Sequence, residues 1–207
     1  MDPLSITAST ITVIQSLLVT YDTIKHIKDL PKAFAEVGRN LPLVKETLDL
    51  AQQALSIDRP DENVKSAIQP ALADCLKRAK IIEDIFSEIE PGNQQNKGAK
   101  DWSAFVRFYR KKVVPYGKAN KVEALMQDIL NKLKVLAIHQ VFKAHAESLG
   151  HIEKLEDAIK SLAEVEPSLP DSEFDAHFRQ REGLVSTGHY SEIAMGNTAK
   201  YQSGAAL

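Results

Sequence analysis

The 207-residue chain contains one cysteine, Cys75, so it cannot form an intramolecular disulfide. It also lacks an Asn-x-Ser/Thr glycosylation acceptor, and its N-terminus lacks the Lys/Arg region of a secretory signal. Disulfides and signals of this kind are typical of secreted domains. Their absence predicts a protein of the reducing cytoplasm.

Strong net charge is missing as well. The formal charge is -2 at pH 7, which disfavours a dedicated nucleic-acid binder, so we expect no nucleic-acid partner. The charge is instead segregated along the chain, with eight Lys/Arg against one acid in residues 97–121 and ten acids against four bases in residues 147–182. Such blocks are usually solvated faces, and a basic block is sometimes a contact with an anionic surface.

Motifs that support catalysis are also missing. There is no Gly-x-x-x-x-Gly-Lys-Ser/Thr phosphate loop and no Gly-x-Ser-x-Gly nucleophile motif. The six histidines form no i, i+4 pair and have no cysteine partners, which disfavours a zinc site. Cys75 lies in an apolar stripe and is expected to be a core residue. We predict a protein that is not an enzyme, with no catalytic residue, no metal and no cofactor.

What the chain does contain is helical periodicity. Apolar residues recur at spacings of three and four over residues 34–55, 68–89, 122–136 and 152–162. This spacing is typical of helices that bury one stripe. The first 166 residues are therefore predicted to form an all-α bundle of about five helices.

Prolines and glycines mark the expected helix boundaries. Asp29 before Pro31 predicts the start of the second helix, because an acidic N-cap followed by a first-turn proline is a common start. Gly38 and Pro42 predict a kink or break within it, since proline removes a backbone donor. Gly150 is the expected joint before the last helix of the bundle.

The first predicted helix differs from the others. Residues 3–21 contain no charge, and their apolar side chains spread around more than one face. A helix of this kind is central in a bundle or lies in a membrane, and a span needs roughly 20 apolar residues. We favour a buried core helix over a constitutive span, and conditional insertion after a trigger is a third interpretation. The candidates for insertion are Ile6, Ile11, Val13, Ile14, Leu17 and Leu18.

Residues 102–114 combine aromatic and basic side chains. One interpretation is a contact with anionic lipid. The other, which we favour, is a short helix whose aromatic side chains fill the end of the bundle. The candidates for the lipid contact are Arg107, Arg110, Lys111 and Lys112.

The last 25 residues, 183–207, contain only two charges, Glu192 and Lys200. Three of their glycines are spaced by eight, which predicts short strands separated by turns. Low charge, no proline, alternating apolar residues and Asn/Gln side chains favour stacking on other copies as cross-β structure. A passive flexible tail is the competing interpretation. The candidate core residues are Ile193, Met195, Gly196, Asn197, Tyr201, Gln202 and Gly204.

Five short motifs occur in a set order along the helical part. They are Met1–Ile6 (MDPLSI), Leu30–Phe34 (LPKAF), Leu41–Val44 (LPLV), Lys118–Met126 (KANKVEALM) and Glu164–Pro170 (EVEPSLP). In this order they resemble the SesA-type N-terminal domain of fungal NACHT and P-loop NTPases, over about residues 1–170. The resemblance implies a helical domain related to the HeLo-like domains of fungal heterokaryon incompatibility, which execute or relay programmed cell death downstream of an NLR-type receptor.

Residues 193–197 (Ile-Ala-Met-Gly-Asn) resemble the amyloid core of HET-s-type fungal signalling motifs and of animal RHIM motifs. The chain has one such core where HET-s has two, and Ala194 stands where RHIM has Gln. The two resemblances together imply a stand-alone effector or adaptor. A NACHT/NLR-type receptor with a matching motif would template the tail, which would then self-associate.

These observations predict three parts: a SesA-like bundle at 1–166, an acidic linker at 167–182 and a signalling tail at 183–207 that is disordered until it assembles. On activation the chain would move from the cytoplasm to the plasma membrane, where the first helix would insert among lipids. The alternative is a non-enzymatic docking module with a passive tail.

Overall fold

The computed structural model describes residues 2–58, 61–90, 101–139, 142–143 and 150–175. Short 3-10 turns flank the fourth helix, and no β-strand occurs in this described part, which confirms the all-α class. The α-helices with defined bounds are α1 (Pro3–Ile24), α2 (Lys32–Asp58), α3 (Glu62–Ile89), α4 (Val106–Val113), α5 (Val122–Ile138) and α6 (His151–Glu164).

Within the described ranges, five long helices form the bundle, as predicted. Helix α1 packs against α2 and α3, and α5 packs against α2, α3 and α6. The short helix α4 packs against α3 and closes one end. Their buried side chains form one hydrophobic core, to which α1 contributes along most of its length.

Side chains and glycine set several helix ends. The Asp2 carboxylate accepts a hydrogen bond from Leu4 N at 3.1 Å, and Asp61 accepts one from Val64 N at 2.9 Å. These bonds satisfy backbone donors that have no partner within the first helical turn. Gly150 precedes α6 with φ +63°, a left-handed conformation that suits glycine, so the predicted joint is confirmed.

The start and interior of α2 differ from the prediction. Asp29 has φ +59°, which is not the extended conformation of an N-cap residue, and Phe34 N donates instead to the Pro31 carbonyl at 2.9 Å. The predicted break is also wrong, because α2 continues through Gly38 and Pro42. Proline removes one helical hydrogen bond there, but buried residues on both sides of it pack into the same core and keep the helix continuous.

Candidate functional site

Helix α1 lies in the bundle as a core helix. Five of its six insertion candidates are at most 9% exposed, and Leu18 is partly buried against the same core. The five buried side chains are Ile6, Ile11, Val13, Ile14 and Leu17. This is the placement that we favoured from the sequence, and insertion into a membrane stays a prediction.

The polar side chains of α1 bond largely within the helix itself. Thr7 Oγ1 donates to the Pro3 carbonyl and Thr10 Oγ1 to the Ile6 carbonyl, each at 2.8 Å. Ser9, Thr12 and Thr20 bond in the same way to carbonyls four residues earlier. Hydroxyls satisfied in this way need no partner on a neighbouring helix or in water.

Length and hydropathy also distinguish α1. It has 22 residues, and its best 18-residue window has a mean hydropathy of 1.4, with 39% of that window buried in the bundle. Among the described helices it alone is long and apolar enough to cross a bilayer. Core helices of soluble proteins reach the same values, so length and hydropathy do not distinguish a core helix from a membrane span here.

A continuous row of aromatic rings connects α1 with α4. Tyr21 on α1 has its ring centroid 6.3 Å from that of Phe86 on α3, and Phe86 stacks on Phe34 of α2 at 5.8 Å. Phe34 meets Tyr109 of α4 edge-on at 5.3 Å, and Trp102 contacts both Phe34 and Tyr109. Such contacts contribute about 0.5–1.5 kcal/mol each beyond burial. The aromatic side chains thus fill the bundle end, as we favoured.

The four basic lipid candidates all lie on α4. Arg110 forms an ion pair with Glu173 at 2.6 Å, and Lys112 forms one with Glu88 at 3.3 Å. Arg107 and Lys111 are exposed. A cavity of about 230 Å³ beside Lys112 is lined by Ile81, Asp84, Ile85, Tyr116 and Asn120. A lipid contact of these basic residues stays a prediction.

Residues 168–174, which we call the strap, pack against the bundle beside α4 and α5. Leu169 and Phe174 join the hydrophobic core, and the Lys121 ammonium lies 5.9 Å from the centre of the Phe174 ring. The sequence places these residues in the linker at 167–182, of which residues 176–182 lie outside the described part. The division of the chain into three parts stays a prediction.

Ion pairs hold the exposed side of the strap. Asp171 accepts hydrogen bonds from Lys118 at 2.8 Å and from Lys121 at 3.2 Å. These bonds lower the pKa of Asp171 below its usual value. Glu173 accepts from Arg110 at 2.6 Å. Acidic groups of the strap therefore meet basic groups around α4 in three pairs.

A buried polar cluster holds the start of the strap. The Glu123 carboxylate accepts from Ser168 N at 3.1 Å and from Ser168 Oγ at 2.7 Å. Because the Ser168 proton goes to Glu123, the Tyr109 hydroxyl donates to Ser168 Oγ while accepting from Val122 N at 3.2 Å. Burial raises the pKa of Tyr109, and the nearby Glu123 charge raises it further, so the phenol stays protonated. The Glu123 carboxylate, Ser168, the Tyr109 hydroxyl and Val122 N thus form one connected set of hydrogen bonds.

The surroundings of the single cysteine and of the potential metal ligands can be compared with the predictions from the sequence. Cys75 is fully buried, and burial raises the pKa of its thiol to about 12, so it is not a thiolate at neutral pH. Within the described ranges no three His, Cys, Asp or Glu side chains converge on a point that could hold a metal. These two observations do not test catalysis, so the absence of enzyme activity stays a prediction.

The candidate amyloid core at 193–204, and the whole tail at 183–207, lie outside the described residues. Their strands, turns and state of order stay predictions from the sequence.

Together, these features define an all-α bundle domain. Its N-terminal helix α1 packs in the core and is long enough to cross a bilayer, and the strap packs on the bundle after α6. Comparison with family models is more specific. Residues 7–136 match SesA, described as the N-terminal domain on NACHT NTPases and P-loop NTPases. The match covers more than half of the chain, so the chain belongs to the SesA family, and the resemblance is confirmed.

Membership in the SesA family links the chain to fungal NLR-associated signalling. The matched range ends within α5, so α6 and the strap lie beyond it. No curated protein and no solved structure matches the chain.

Proposed function

We propose that the chain is a non-enzymatic effector or adaptor of fungal cell-death signalling, in which the tail receives the signal and the helical bundle responds. The SesA family supplies the connection to NACHT NTPases. The observation that carries the response is α1, a helix of 22 residues that is uncharged from residue 3 to residue 21 and packs in the core of the bundle, and its hydroxyls bond largely within the helix.

The input is strand addition at the tail. A receptor assembly presents a matching motif, and the tail adds to it with Ile193 and Met195 facing inward and Asn197 forming ladders. The sequence supports this step through low charge, absence of proline and apolar alternation in residues 183–207. Each added copy extends the template, so chains self-associate and their bundles are brought together.

The output is release of α1 into a bilayer at the plasma membrane. Burial of its five apolar candidates contributes roughly 1.5–3 kcal/mol for each side chain in the bundle. A bilayer restores this contribution, since hydrocarbon is as apolar as the core. The faces of α2 and α3 that α1 covers would then be exposed. Neighbouring bundles in a cluster can cover those faces. Release of α1 is therefore favoured only after the tails have assembled and brought the bundles together.

The input is tested with the full chain and preformed seeds of the tail peptide. We expect thioflavin-positive fibrils visible by electron microscopy, and we expect Met195→Asp and Gly196→Pro to abolish them, because a buried charge and a proline disrupt a stacked core. A wild-type chain that stays monomeric with seeds contradicts the templating step and favours a docking module with a passive tail.

The output is tested with a matched pair of substitutions at exposed glutamines. Gln15 lies near the middle of α1 and Gln53 lies on α2, and both are exposed in the bundle. Gln15→Lys leaves the fold intact but places a charge at the centre of a spanning helix, which costs about 2.5–3.5 kcal/mol. We expect seeded Gln15→Lys to lose vesicle leakage and seeded Gln53→Lys to retain it. Equal leakage from both variants excludes insertion of α1.

A further inference from the structure

We propose that the surface around α4 and the start of α5 is a peptide-binding site, filled by the chain's own strap in the structure, and that a second copy of the chain can fill it with its strap instead. The proposal goes beyond the function above. It requires neither fibrils from the tail nor release of α1, so its failure is distinguishable from theirs.

The strap binds as a short peptide binds, through separated anchors. Leu169 and Phe174 are buried, whereas residues 170–172 between them are exposed. Two apolar anchors on either side of a solvated stretch are typical of peptides that are recognised in a groove.

Charge complementarity gives the site its orientation. Arg110, Lys118 and Lys121 face the strap, and all three pair with Asp171 or Glu173. A peptide running in the opposite direction would lose this match. The ligand is therefore acidic between and beside its apolar anchors.

The buried cluster adds a requirement for a hydroxyl residue. Glu123 receives two hydrogen bonds from Ser168, and the Tyr109 hydroxyl donates its proton to the same serine. A segment with an apolar residue at this position would remove the hydroxyl bond to Glu123 and leave the Tyr109 proton without its acceptor, and a buried donor without an acceptor is strongly unfavourable. The site thus favours a segment of the form Ser-Leu-x-Asp-x-Glu-Phe, which is the strap itself.

The connection to α6 allows this segment to come from another copy. Helix α6 ends at Glu164, and Val165 is extended (φ -69°, ψ 144°), so a change in residues 165–167 redirects the strap without altering helices. An exchanged strap makes the same contacts as an intramolecular one. The intramolecular strap benefits from an effective concentration in the mM range. Clustering of chains raises the local concentration toward that range and so favours exchange.

Peptide binding tests the site directly. The probe is a fluorescent peptide of residues 165–175, and the protein is the full chain carrying Phe174→Ala, which weakens the chain's own strap and leaves the basic residues in place. We expect the variant to bind the peptide at least about tenfold more tightly than the wild-type chain, because its own strap competes less. A folded variant that binds no better than wild type overturns the proposal.

Two further variants serve as a replacement and as a control for this test. If Phe174→Ala does not fold, Asp171→Lys weakens the strap from an exposed position, and the same order of affinities is expected. Arg110→Glu in either background is expected to lose the wild-type peptide and to bind a peptide carrying Glu173→Arg. If Arg110→Glu leaves the affinity for both peptides unchanged, the peptide does not occupy this surface.

Strap exchange is tested by mixing two full-length variants. One carries Arg110→Glu with Lys118→Glu in the site, and the other carries Asp171→Lys with Glu173→Lys in the strap. Each variant repels its own strap, whereas exchange between one copy of each restores complementary charge in both sites. We expect sedimentation velocity to show monomers for each variant alone and a dimer for the mixture. Monomers in the mixture overturn exchange between copies.

Discussion

The ring of Tyr21 on α1 lies directly over Gly38 on α2. A Cβ placed on Gly38 would stand 2.1 Å from Tyr21 Cζ, which is far inside van der Waals contact. A glycine within a helix costs about 1 kcal/mol relative to alanine. At this position it allows the tyrosine ring to pack against the backbone of the neighbouring helix, and so it contributes to holding α1 in the bundle.

A double-mutant cycle at this contact is the first prediction. In a Tyr21→Ala background, Gly38→Ala is expected to stabilise the chain by about 1 kcal/mol, because alanine favours the helix. In the wild-type background that gain is expected to disappear, since the Tyr21 ring must move away. Urea unfolding of the four proteins measures the coupling. Equal effects of Gly38→Ala in both backgrounds would show that the ring and the glycine are independent.

The second prediction concerns the buried hydroxyl of Tyr109. Tyr109→Phe leaves Val122 N without its acceptor and removes a hydrogen bond to Ser168, so we expect a loss of about 1–3 kcal/mol in the free energy of unfolding. Tyr116→Phe is the matched control, because Tyr116 is 73% exposed, and a change within about 0.5 kcal/mol is expected there. The two variants are compared by urea unfolding, and equal stability would mean that the buried cluster contributes nothing.

Features that depend on local spacing along the chain were predicted from the sequence, whereas features that depend on contacts between distant residues were missed. Leu125, Ile129 and Leu133 were predicted to be buried because helical spacing is a local property, and they are fully buried. The continuity of α2 through Pro42 was missed, because packing of the residues on both sides overrides the local preference against proline in a helix.

The strap was missed for the same physical reason. Its bond between Ser168 and Glu123 joins residues 45 positions apart, and the spacing of Leu169 and Phe174 fits no helical stripe. The available indication was two isolated apolar residues among acids and prolines. That pattern also fits a solvated linker, so composition alone favoured the linker.

The third prediction is a pH dependence at His151. This side chain is buried in α6, and burial lowers its pKa, with a further lowering by Lys154 and an opposing effect of Glu46. The folded chain therefore binds fewer protons at this site than the unfolded chain, so the stability contribution of the neutral ring is complete above about pH 6.5 and is lost as the pH falls below it.

His151→Gln removes this titration. We expect the difference in unfolding free energy between wild type and His151→Gln to be constant above about pH 7 and to move against the wild type as the pH falls toward 5. His26, an exposed histidine changed to Gln in the same way, is the control. A difference that does not vary over this range would mean that His151 is protonated equally well in the folded chain.

The fourth prediction uses Cys75 as a reporter of opening. Because it is the single cysteine, fully buried and with a pKa of about 12, a thiol reagent can label it only when the bundle opens. Where opening equilibrates faster than labelling, Tyr109→Phe is expected to speed labelling about 5- to 30-fold if its loss of stability is about 1–2 kcal/mol, and more if the loss is nearer the upper end of the range given above. Tyr116→Phe is expected to label at the wild-type rate. Rapid labelling that is insensitive to both substitutions would show that Cys75 is reached by a local fluctuation near α3 and α5, without the opening in which the strap and its buried cluster take part.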